Sequence, residues 1–383
     1  MTGWELLAAT EDRAAGEALL ALAAAAGVLP EGPGVVLASG GSSGRRRWCL
    51  QPHRHLQQAA AATGRWLQQQ GIDPALVRLV NPLAPHHIGG LMPQVRAQQW
   101  QAPLLTLPPA ALKQPALLPR PDGDGRTAVL SLVPTQLGRL LADPDGITWL
   151  QRFGVIWVGG AGLSPEVAAI ARRLGLRLAP CYGATETGAM VTALAPERFL
   201  AGDGGCGPPL DDVQLQVATV NGTDDGMVGV RTARLSPGWL AGAHLQPIAD
   251  ADGWWRSGDC GRLTTAGLVL RGRSDGAVLS GGETVHPEEV ELALARVAGL
   301  EALLVLGLPD SDWGERLVAL VRPEAGQALA PLLERLGQIA ATLTPAQRPR
   351  RWLPCPDLAV NAQGKWDRGR WRRWAAETLS AGR

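Results

Sequence analysis

Short apolar runs alternate with longer amphipathic stretches through the first half of this chain. The runs have the length of buried strands, whereas the stretches between them place apolar residues at helical spacing. Strands separated by helices favour strand–helix–strand units and a largely parallel sheet, so we predict an α/β fold. The predicted strands are 76–80, 104–107, 128–133 and 155–158, and the predicted helices are 53–70, 88–99 and 165–174.

The pattern restarts after Asp275, which we take as a domain boundary. A chain of 383 residues exceeds what one hydrophobic core usually spans, so at least two domains are expected. We predict a large N-terminal domain of layered sheets and helices over 1–275, which includes a β-rich part near 210–232, and a small α+β domain over 276–383. The elements predicted in the small domain are strands 302–306 and 317–321 and helices 288–297 and 329–341.

The composition is typical of a soluble enzyme. The net charge of +1 gives no general attraction to nucleic acid or anionic lipid, and we expect neither as a partner. Five cysteines without paired spacing predict neither a zinc site nor a disulfide framework, which fits a cytoplasmic location. The apolar stretch 18–29 follows acidic residues, which is the wrong charge for a signal peptide, and it predicts a helix starting near Thr10. No apolar run reaches transmembrane length.

A loop rich in glycine and serine follows the apolar run 35–37. We call residues 39–47, with the sequence SGGSSGRRR, the glycine/serine loop. Glycines let backbone N–H groups turn toward phosphate oxygens, serines donate hydrogen bonds, and arginines offset the charge. The loop is not a Walker A motif, and plain surface connections share its composition. Alone it is therefore a weak indication of polyphosphate binding.

The segment CYGATETG carries a second group of polar residues. We predict that the strand 176–179 is broken at Pro180 and at the glycine of Tyr-Gly-Ala, which places the rest on a loop. Open α/β sheets bind ligands at the carboxyl ends of their strands. There Glu186 could hold Mg²⁺, Thr185 could bind a phosphate oxygen, and Tyr182 could stack on a base. A solvated loop acid is the alternative for Glu186.

Three further segments place single polar residues between apolar runs. Asp259 lies in a predicted glycine-flanked turn, where it either caps its own backbone or accepts hydrogen bonds from a ribose diol. Arg273 and Asp275 lie between two strand-like runs, ahead of a helix that Pro287 opens. Lys365, in NAQGKWDR, is either a solvated charge or a cation that meets charge developing on a reacting phosphate and carboxylate.

In this order the segments resemble those of the adenylate-forming enzymes, which include acyl-CoA synthetases, peptide-synthetase adenylation domains and luciferases. The similarity runs from about residue 35 to residue 368. Residues 131–137, SLVPTQL, with the following Arg139-Leu-Leu, resemble the o-succinylbenzoate–CoA ligases of menaquinone and phylloquinone biosynthesis. Residues 85–91, PHHIGGL, are similar to the family's His-x-x-Gly element, which implies that His87 lines the acid pocket.

The resemblance implies a role for each matching residue. The catalytic residues would be Lys365, Glu186 and Thr185, with Glu186 holding Mg²⁺. The residues binding ATP or AMP would be Ser39, Gly40, Gly41, Ser42, Ser43, Gly44, Arg47, Gly160, Ala161, Tyr182, Gly183, Ala184, Asp259 and Arg273. The acid would contact His87 and Gly188, coenzyme A would contact Gly281 and Gly282, and Asp275 would be the hinge of a mobile C-terminal domain.

The resemblance also implies a reaction with ATP, Mg²⁺ and coenzyme A. The expected function is an ATP-dependent acid–CoA ligase that forms an acyl-adenylate and then a thioester, with o-succinylbenzoate as the expected acid. The alternatives are another aryl- or acyl-CoA ligase and a non-catalytic nucleotide-binding scaffold. Arginines interleaved with tryptophans at 348–352 and 365–374 are also found in nucleic-acid or membrane-surface segments, but a final amphipathic helix is the preferred interpretation.

The chain departs from the family pattern at three places. Residues 45–47 are arginines where relatives usually have Pro-Lys, so Arg47 would supply the cation. Val360 stands where a basic residue often precedes the lysine loop. Only 38 residues precede Ser39, which implies a shortened N-terminal region and leaves open that a partner chain, such as a second copy, covers the exposed face.

Overall fold

The computed structural model of the protein describes residues 3–40, 46–219, 224–280, 283–295, 297–310, 312–360 and 366–381. These residues form two compact units. The larger unit contains the described residues up to Ser39 together with Arg46–Ser257 and Gly261–Leu270, and the smaller unit contains Gly258–Cys260 and the residues from Arg271 onwards. The predicted domain boundary at Asp275 and its role as a hinge stay predictions.

The larger unit is built from strands and helices in alternation. Its strands are β1 (Trp4–Leu7), β2 (Gly34–Gly40), β3 (Arg46–Pro52), β4 (Val77–Asn81), β5 (Leu104–Thr106), β6 (Thr127–Leu132), β7 (Val155–Val158), β8 (Leu178–Ala184), β9 (Ala189–Ala193), β10 (Gln214–Thr219), β11 (Gly226–Arg231), β12 (Trp239–Ala241), β13 (His244–Gln246), β14 (Trp255–Thr264) and β15 (Gly267–Arg273). Parts of three of these strands belong to the smaller unit: Gly40 of β2, Gly258–Cys260 of β14, and the end of β15 from Arg271. The helices of the larger unit are α1 (Thr10–Ala25), α2 (His53–Gln69), α3 (Ile88–Trp100), α4 (Pro134–Leu141), α5 (Pro144–Leu150), α6 (Pro165–Arg173) and α7 (Pro196–Leu200).

A six-stranded sheet in the order β5-β4-β6-β7-β8-β9 organises the larger unit. The strands from β5 to β8 pair in parallel, and β9 pairs with β8 in the antiparallel sense. This arrangement confirms the predicted α/β class. The strands and helices predicted between residues 53 and 174 agree with the structure to within one or two residues. For example, β4 starts one residue late because Pro74–Leu76 forms a 3-10 turn, capped by the side chain of Asp73. Nearer the C-terminus, the predicted strands 302–306 and 317–321 extend over Leu300–Asp310 and Gly314–Pro323, and the predicted helix 288–297 ends at Leu294.

The prediction that the strand 176–179 breaks at Pro180 and Gly183 is wrong, because β8 runs through both. Pro180 pairs with the last residue of β7, and its carbonyl accepts a hydrogen bond from Leu194 N (2.9 Å), so the strand continues through the proline although it has no N–H to donate. Gly183 allows the β8–β9 hairpin to close, since a Cβ there would lie 2.0 Å from Ala189 O.

Two smaller sheets complete the larger unit. One has the order β1-β2-β3-β12-β13, and the other has the order β10-β11-β14-β15, which confirms the β-rich part predicted near 210–232. The predicted turn at Asp259 is wrong, because Asp259 lies inside the continuous strand β14. Its neighbour Gly261 instead allows close approach of β15, since a Cβ there would lie 2.4 Å from Val269 O. Helix α1 confirms the helix predicted near Thr10.

In the smaller unit, the described residues form three helices and a further mixed sheet. Its strands are β16 (Val278–Ser280), β17 (Glu283–Val285), β18 (Leu300–Asp310), β19 (Gly314–Pro323) and β20 (Arg351–Pro354), and its helices are α8 (Pro287–Leu294), α9 (Leu329–Ala340) and α10 (Arg368–Ala381). In the sheet, the order is β17-β16-β19-β18, and β20 pairs with β19.

Trp371 on α10 is buried, which confirms the amphipathic final helix. At the start of α10, Arg368 binds Glu288 (3.1 Å) and Glu291 (3.0 Å). None of the helices formed by the described residues is long and apolar enough to cross a bilayer.

Candidate active site

A 3-10 turn at Thr185–Thr187 joins β8 to β9 at the carboxyl end of the parallel strands. Gly188 ends the turn in the left-handed conformation (φ +63°), which glycine adopts without steric cost. Ala189 follows at φ +85°, a conformation that an L-residue rarely adopts. Backbone strain of this kind persists only where surrounding contacts fix the chain. The turn is therefore held in place by its neighbours.

Hydrogen bonds from buried side chains supply part of that support. Thr187 Oγ1 donates to the carbonyl of Ala189 (2.5 Å) and accepts from the N–H of Ala184 (3.0 Å). From β3, Gln51 Nε2 donates to Thr185 O (2.5 Å). Because β3 begins at Arg46, Gln51 holds the strand that carries Arg47 against the turn. Sequence reasoning missed Gln51, since nothing local marks a glutamine in an apolar strand as functional.

Glu186 is the one acidic side chain on the turn, and it is only 8% exposed. Its Oε1 accepts a hydrogen bond from the indole Nε1 of Trp239 (3.0 Å), and its backbone carbonyl accepts one from Ser236 N (2.8 Å). The alternative that Glu186 is a solvated loop charge therefore does not hold. Behind it, burial raises the pKa of the Cys49 thiol well above its usual value, and the Glu186 carboxylate raises it further.

Residues 234–239 wrap around the turn, and we call them the supporting segment. Its Arg234 is fully buried and donates to the carbonyls of Thr187 (2.6 Å) and Met190 (3.0 Å). Arg234 Nε also binds the carboxylate of Asp212 (2.6 Å), which compensates its charge. No prediction from the sequence included this arginine. Its isolation in the otherwise uncharged stretch TARLSPGWL, at 232–240, is the signal that could have found it.

Arg47 also reaches this group. Its guanidinium lies over the ring of Trp239, with 4.8 Å from Cζ to the ring centroid, and the arginine is otherwise exposed. Trp239 therefore contacts a cation on its face and the carboxylate of Glu186 at its N–H edge. The pairing of β3 with β12, which sets Trp239 opposite Cys49, brings Arg47 to this position.

The Glu186 carboxylate is suited to one coordination position of a hard cation. Among the described residues, no donor binds its Oε2, and this oxygen is not sealed from solvent. The described ranges contain no group of three or more His, Cys, Asp or Glu that could hold a metal alone. Mg²⁺ usually binds one or two carboxylates and takes its other ligands from phosphates and water. The residues present fit an ion that arrives with a nucleotide.

Other predicted site residues of the larger unit lie on neighbouring elements. Gly160 follows β7 at φ +85°, and Ala161 beside it is exposed. Tyr182 lies in β8, where its side chain is 7% exposed and packs in the hydrophobic core. His87 caps the N-terminus of α3, and its ring contacts that of His86 edge-on at 4.3 Å. The roles of these residues stay predictions.

The remaining predicted site residues either lie on other elements or fall outside the described ranges. Ser39 is buried near the end of β2, and Gly40 is its last residue. The structure gives only the backbone of Asp275, in a 3-10 turn at Ser274–Gly276. In the smaller unit, Arg273 Nη1 donates to Asp259 Oδ1 (3.3 Å). Six predicted site residues lie outside the described ranges: Gly41, Ser42, Ser43, Gly44, Gly281 and Gly282, and the same holds for the predicted catalytic residue Lys365.

Comparison with known proteins assigns the class. A family model described as AMP-binding enzyme matches residues 4–233, more than half of the chain, and the chain belongs to this family. The predicted resemblance to adenylate-forming enzymes is thereby confirmed. Among curated proteins, the 2-succinylbenzoate–CoA ligase of Enterococcus faecalis is 31% identical over 249 residues, which cover 63% of this chain and 50% of that protein. The enzyme of the same name from Salmonella typhimurium is 30% identical over 247 residues, covering 64% and 50%.

Solved structures share the fold. The o-succinylbenzoate CoA synthetase of Bacillus subtilis, in complex with its acyl-adenylate intermediate, superposes with a TM-score of 0.75 at 21% identity. The match covers 88% of this chain and 68% of that one. At this identity the likeness establishes the fold alone. This chain spans about half the length of the curated relatives that it matches.

Proposed function

We propose that this protein is an ATP-dependent acid–CoA ligase that forms an acyl-adenylate and passes its acyl group to coenzyme A, in the cytoplasm. The observation that carries the proposal is the Glu186 carboxylate, which Trp239 binds while Ser236 N binds the Glu186 backbone carbonyl, on a turn at the carboxyl end of a parallel sheet. That edge is where α/β sheets bind nucleotides. Membership of the AMP-binding family and the o-succinylbenzoate ligases among its relatives support the same activity.

Charge explains what each residue does in the first half-reaction. ATP and a carboxylic acid are both anionic, so the site must bring like charges to reacting distance. The glycine/serine loop and Arg47 would bind the phosphates, Thr185 would donate to a phosphate oxygen, and Glu186 would bind Mg²⁺. The ion, when bound, supplies positive charge to the phosphates. Lys365 would stabilise the charge that develops as the acid attacks the α-phosphorus and pyrophosphate leaves.

The identity of the basic residues supports the assignment to Lys365. The chain has 36 basic residues, and only Lys113 and Lys365 among them are lysines. A compact ammonium meets two oxygens from different groups more readily than a planar guanidinium, which favours bidentate binding of one group. Lys365 is one of two lysines among mostly arginines, and its compact ammonium fits a position between the substrate carboxylate and the phosphate.

Pyrophosphate release tests the activity. With o-succinylbenzoate, ATP and Mg²⁺, the wild type should release pyrophosphate, and coenzyme A should convert the adenylate to the thioester. Glu186→Gln should lower the rate about a hundredfold or more, because it removes one charge-stabilising contact. Glu166→Gln, which changes an exposed acid on α6, is the matched control and should behave as wild type. Nucleotide binding without pyrophosphate release from any of a panel of carboxylic acids would overturn the proposal and favour a scaffold.

The buried Arg96 on α3 supports the proposal that the substrate acid carries a second anionic group. The guanidinium is 4% exposed and lies over the ring of Trp157 at 4.6 Å. Its hydrogen bond within the described residues goes to Thr63 Oγ1 (3.4 Å), and no described carboxylate lies within ion-pair distance. Burial lowers the pKa of Arg96 to about 10, so the group stays charged at neutral pH. A buried charge without a counterion is costly unless something compensates it.

Two buried donors await an acceptor at this place. Neither Arg96 Nε nor Trp157 Nε1 has a hydrogen-bond partner among the described residues. Trp157 lies near the carboxyl end of β7, two residues before Gly159 and three before Gly160. Arg96 and Trp157 are therefore near the strand end that is followed by the predicted nucleotide-binding residues Gly160 and Ala161. A carboxylate would satisfy both donors and neutralise the arginine. This supports a dicarboxylic acid such as o-succinylbenzoate over a fatty acid.

Two substrates that differ by one carboxylate test which carboxylate Arg96 binds. We compare o-succinylbenzoate with 4-oxo-4-phenylbutanoate, which lacks only the ring carboxylate. Arg96→Met should lower kcat/KM for o-succinylbenzoate about a hundredfold and change it little for the monoacid, because a lost charge pair costs roughly 3 kcal/mol. Arg231→Met, which removes an arginine stacked on Trp254, should leave both values unchanged. An equal loss for both acids would show that Arg96 acts on folding and not on the ring carboxylate.

A further inference from the structure

We infer that Trp239 is a positioning residue that keeps Arg47 and Glu186 apart, so that the cation meets phosphate and the carboxylate meets the metal. The inference rests on the proposed function. Trp239 contacts the Arg47 guanidinium with the face of its indole and the Glu186 carboxylate with its indole N–H. Arg47 lies over the ring face at 4.8 Å, and Glu186 Oε1 accepts from Nε1 at 3.0 Å.

The two charges would otherwise attract each other. Among the described residues, Glu186 has no cation within 4.0 Å, although the guanidinium of Arg47 contacts the same indole. The attraction between opposite charges a few ångströms apart is strong where one of them is buried, as Glu186 is. A direct Arg47–Glu186 ion pair would occupy the carboxylate oxygens that a cation needs. It would also withdraw the guanidinium from the phosphates.

The indole is fixed well enough to act as a spacer. In β12, Trp239 pairs with Cys49 of β3 on one side and with Gln246 of β13 on the other. Before it, Gly238 lies so close to β13 that a Cβ would be 2.4 Å from Gln246 O. After it, Leu240 is buried. The backbone on both sides is therefore held, which fixes the position from which the indole projects, and the hydrogen bond to Glu186 Oε1 orients the ring.

The alternative is that Trp239 only fills space. In that case its removal would affect stability and leave the balance between Arg47 and Glu186 unchanged. The spacer role instead requires that the defect of a Trp239 variant depends on Arg47. A second substitution that removes the arginine should then repair metal binding, which a purely structural role does not explain.

Binding of Mn²⁺ measured by electron paramagnetic resonance, with a non-hydrolysable ATP analogue, tests the inference directly. Trp239→Ala should weaken Mn²⁺ binding about tenfold, because the carboxylate loses a charge-assisted donor and gains Arg47 as a competitor. Trp239→Phe keeps the ring face and loses the N–H, so its effect should be about threefold. Arg47→Gln alone should weaken nucleotide binding but leave Mn²⁺ affinity of the nucleotide complex near wild type.

The double variant Trp239→Ala with Arg47→Gln decides the question. It should bind Mn²⁺ at least fivefold more tightly than Trp239→Ala alone, since the competitor is gone. Equal or weaker binding by the double variant would overturn the inference. Trp254→Ala removes a tryptophan that also carries a stacked arginine, Arg231 at 4.8 Å, and should bind Mn²⁺ like wild type. If the wild type binds no Mn²⁺–nucleotide, the proposed function fails; if only the double-variant rescue is missing, the spacer role alone fails.

Discussion

Replacing Lys365 by alanine should slow adenylate formation about a hundred- to a thousandfold and leave thioester formation from supplied acyl-adenylate largely intact. One charge-stabilising contact to a reacting phosphate contributes about 3–4 kcal/mol of the barrier. The resemblance implies that the small domain swings about Asp275 between the two half-reactions and brings Gly281 and Gly282 to coenzyme A. Lys365 would then act in the first half only. Pyrophosphate release and consumption of synthetic acyl-adenylate measure the two halves separately.

The chain offers a matched control for this experiment. Lys113, the other lysine, is exposed on a 3-10 turn, so Lys113→Ala should leave both rates unchanged. An equal loss in both half-reactions on Lys365→Ala would refute the swing about Asp275. Lys365→Arg should also remain slow, because a guanidinium does not replace a compact ammonium between two oxygens.

Arg234→Met should lower the free energy of unfolding by about 3–5 kcal/mol. The substitution leaves the Asp212 carboxylate without its buried partner and removes the donors to the carbonyls of Thr187 and Met190. Breaking a buried ion pair by removing one partner carries a penalty of this size. Chemical denaturation monitored by tryptophan fluorescence, with its fourteen indoles, gives the free energy.

A neighbouring ion pair supplies the comparison. Arg65 binds Asp211, the residue before Asp212, but both side chains are more than a third exposed. Arg65→Met should therefore change stability by less than about 1 kcal/mol. Similar effects of Arg65→Met and Arg234→Met would mean that burial of Arg234 does not set its contribution. The activity of Arg234→Met should also fall, because the turn that carries Glu186 loses its anchor at Thr187 and the following strand loses one at Met190.

The sequence predicts the local parts of this fold well. Apolar runs and helical spacing locate the strands of the parallel sheet, since each signal depends on neighbours in the chain. Glycine and proline are less reliable guides. Pro180 and Gly183 suggest a break in a strand that runs through both, because one uses its carbonyl for pairing and the other permits close approach across a hairpin. The same ambiguity explains the turn wrongly predicted at Asp259.

The support of the candidate site escapes sequence reasoning for a different reason. Glu186 can be predicted because it is the acidic residue of the CYGATETG segment. The residues that support this turn cannot be predicted in the same way, since Trp239 lies 53 residues from Glu186 along the chain and Gln51 lies 134 residues from Thr185. The pairing of β3 with β12 brings the strands that carry Gln51 and Trp239 together, and no local pattern specifies that pairing.

The supporting segment has one further consequence. Its hydrogen bonds hold the Thr185–Thr187 turn and the Glu186 side chain through contacts within the protein, so under the proposed function the nucleotide would meet a carboxylate that is already positioned. A side chain that is frozen in advance loses little conformational entropy on association. Under the proposed function, the affinity for the nucleotide would therefore not be reduced by ordering of this side chain, and substitutions between residues 234 and 239 would weaken binding by releasing it.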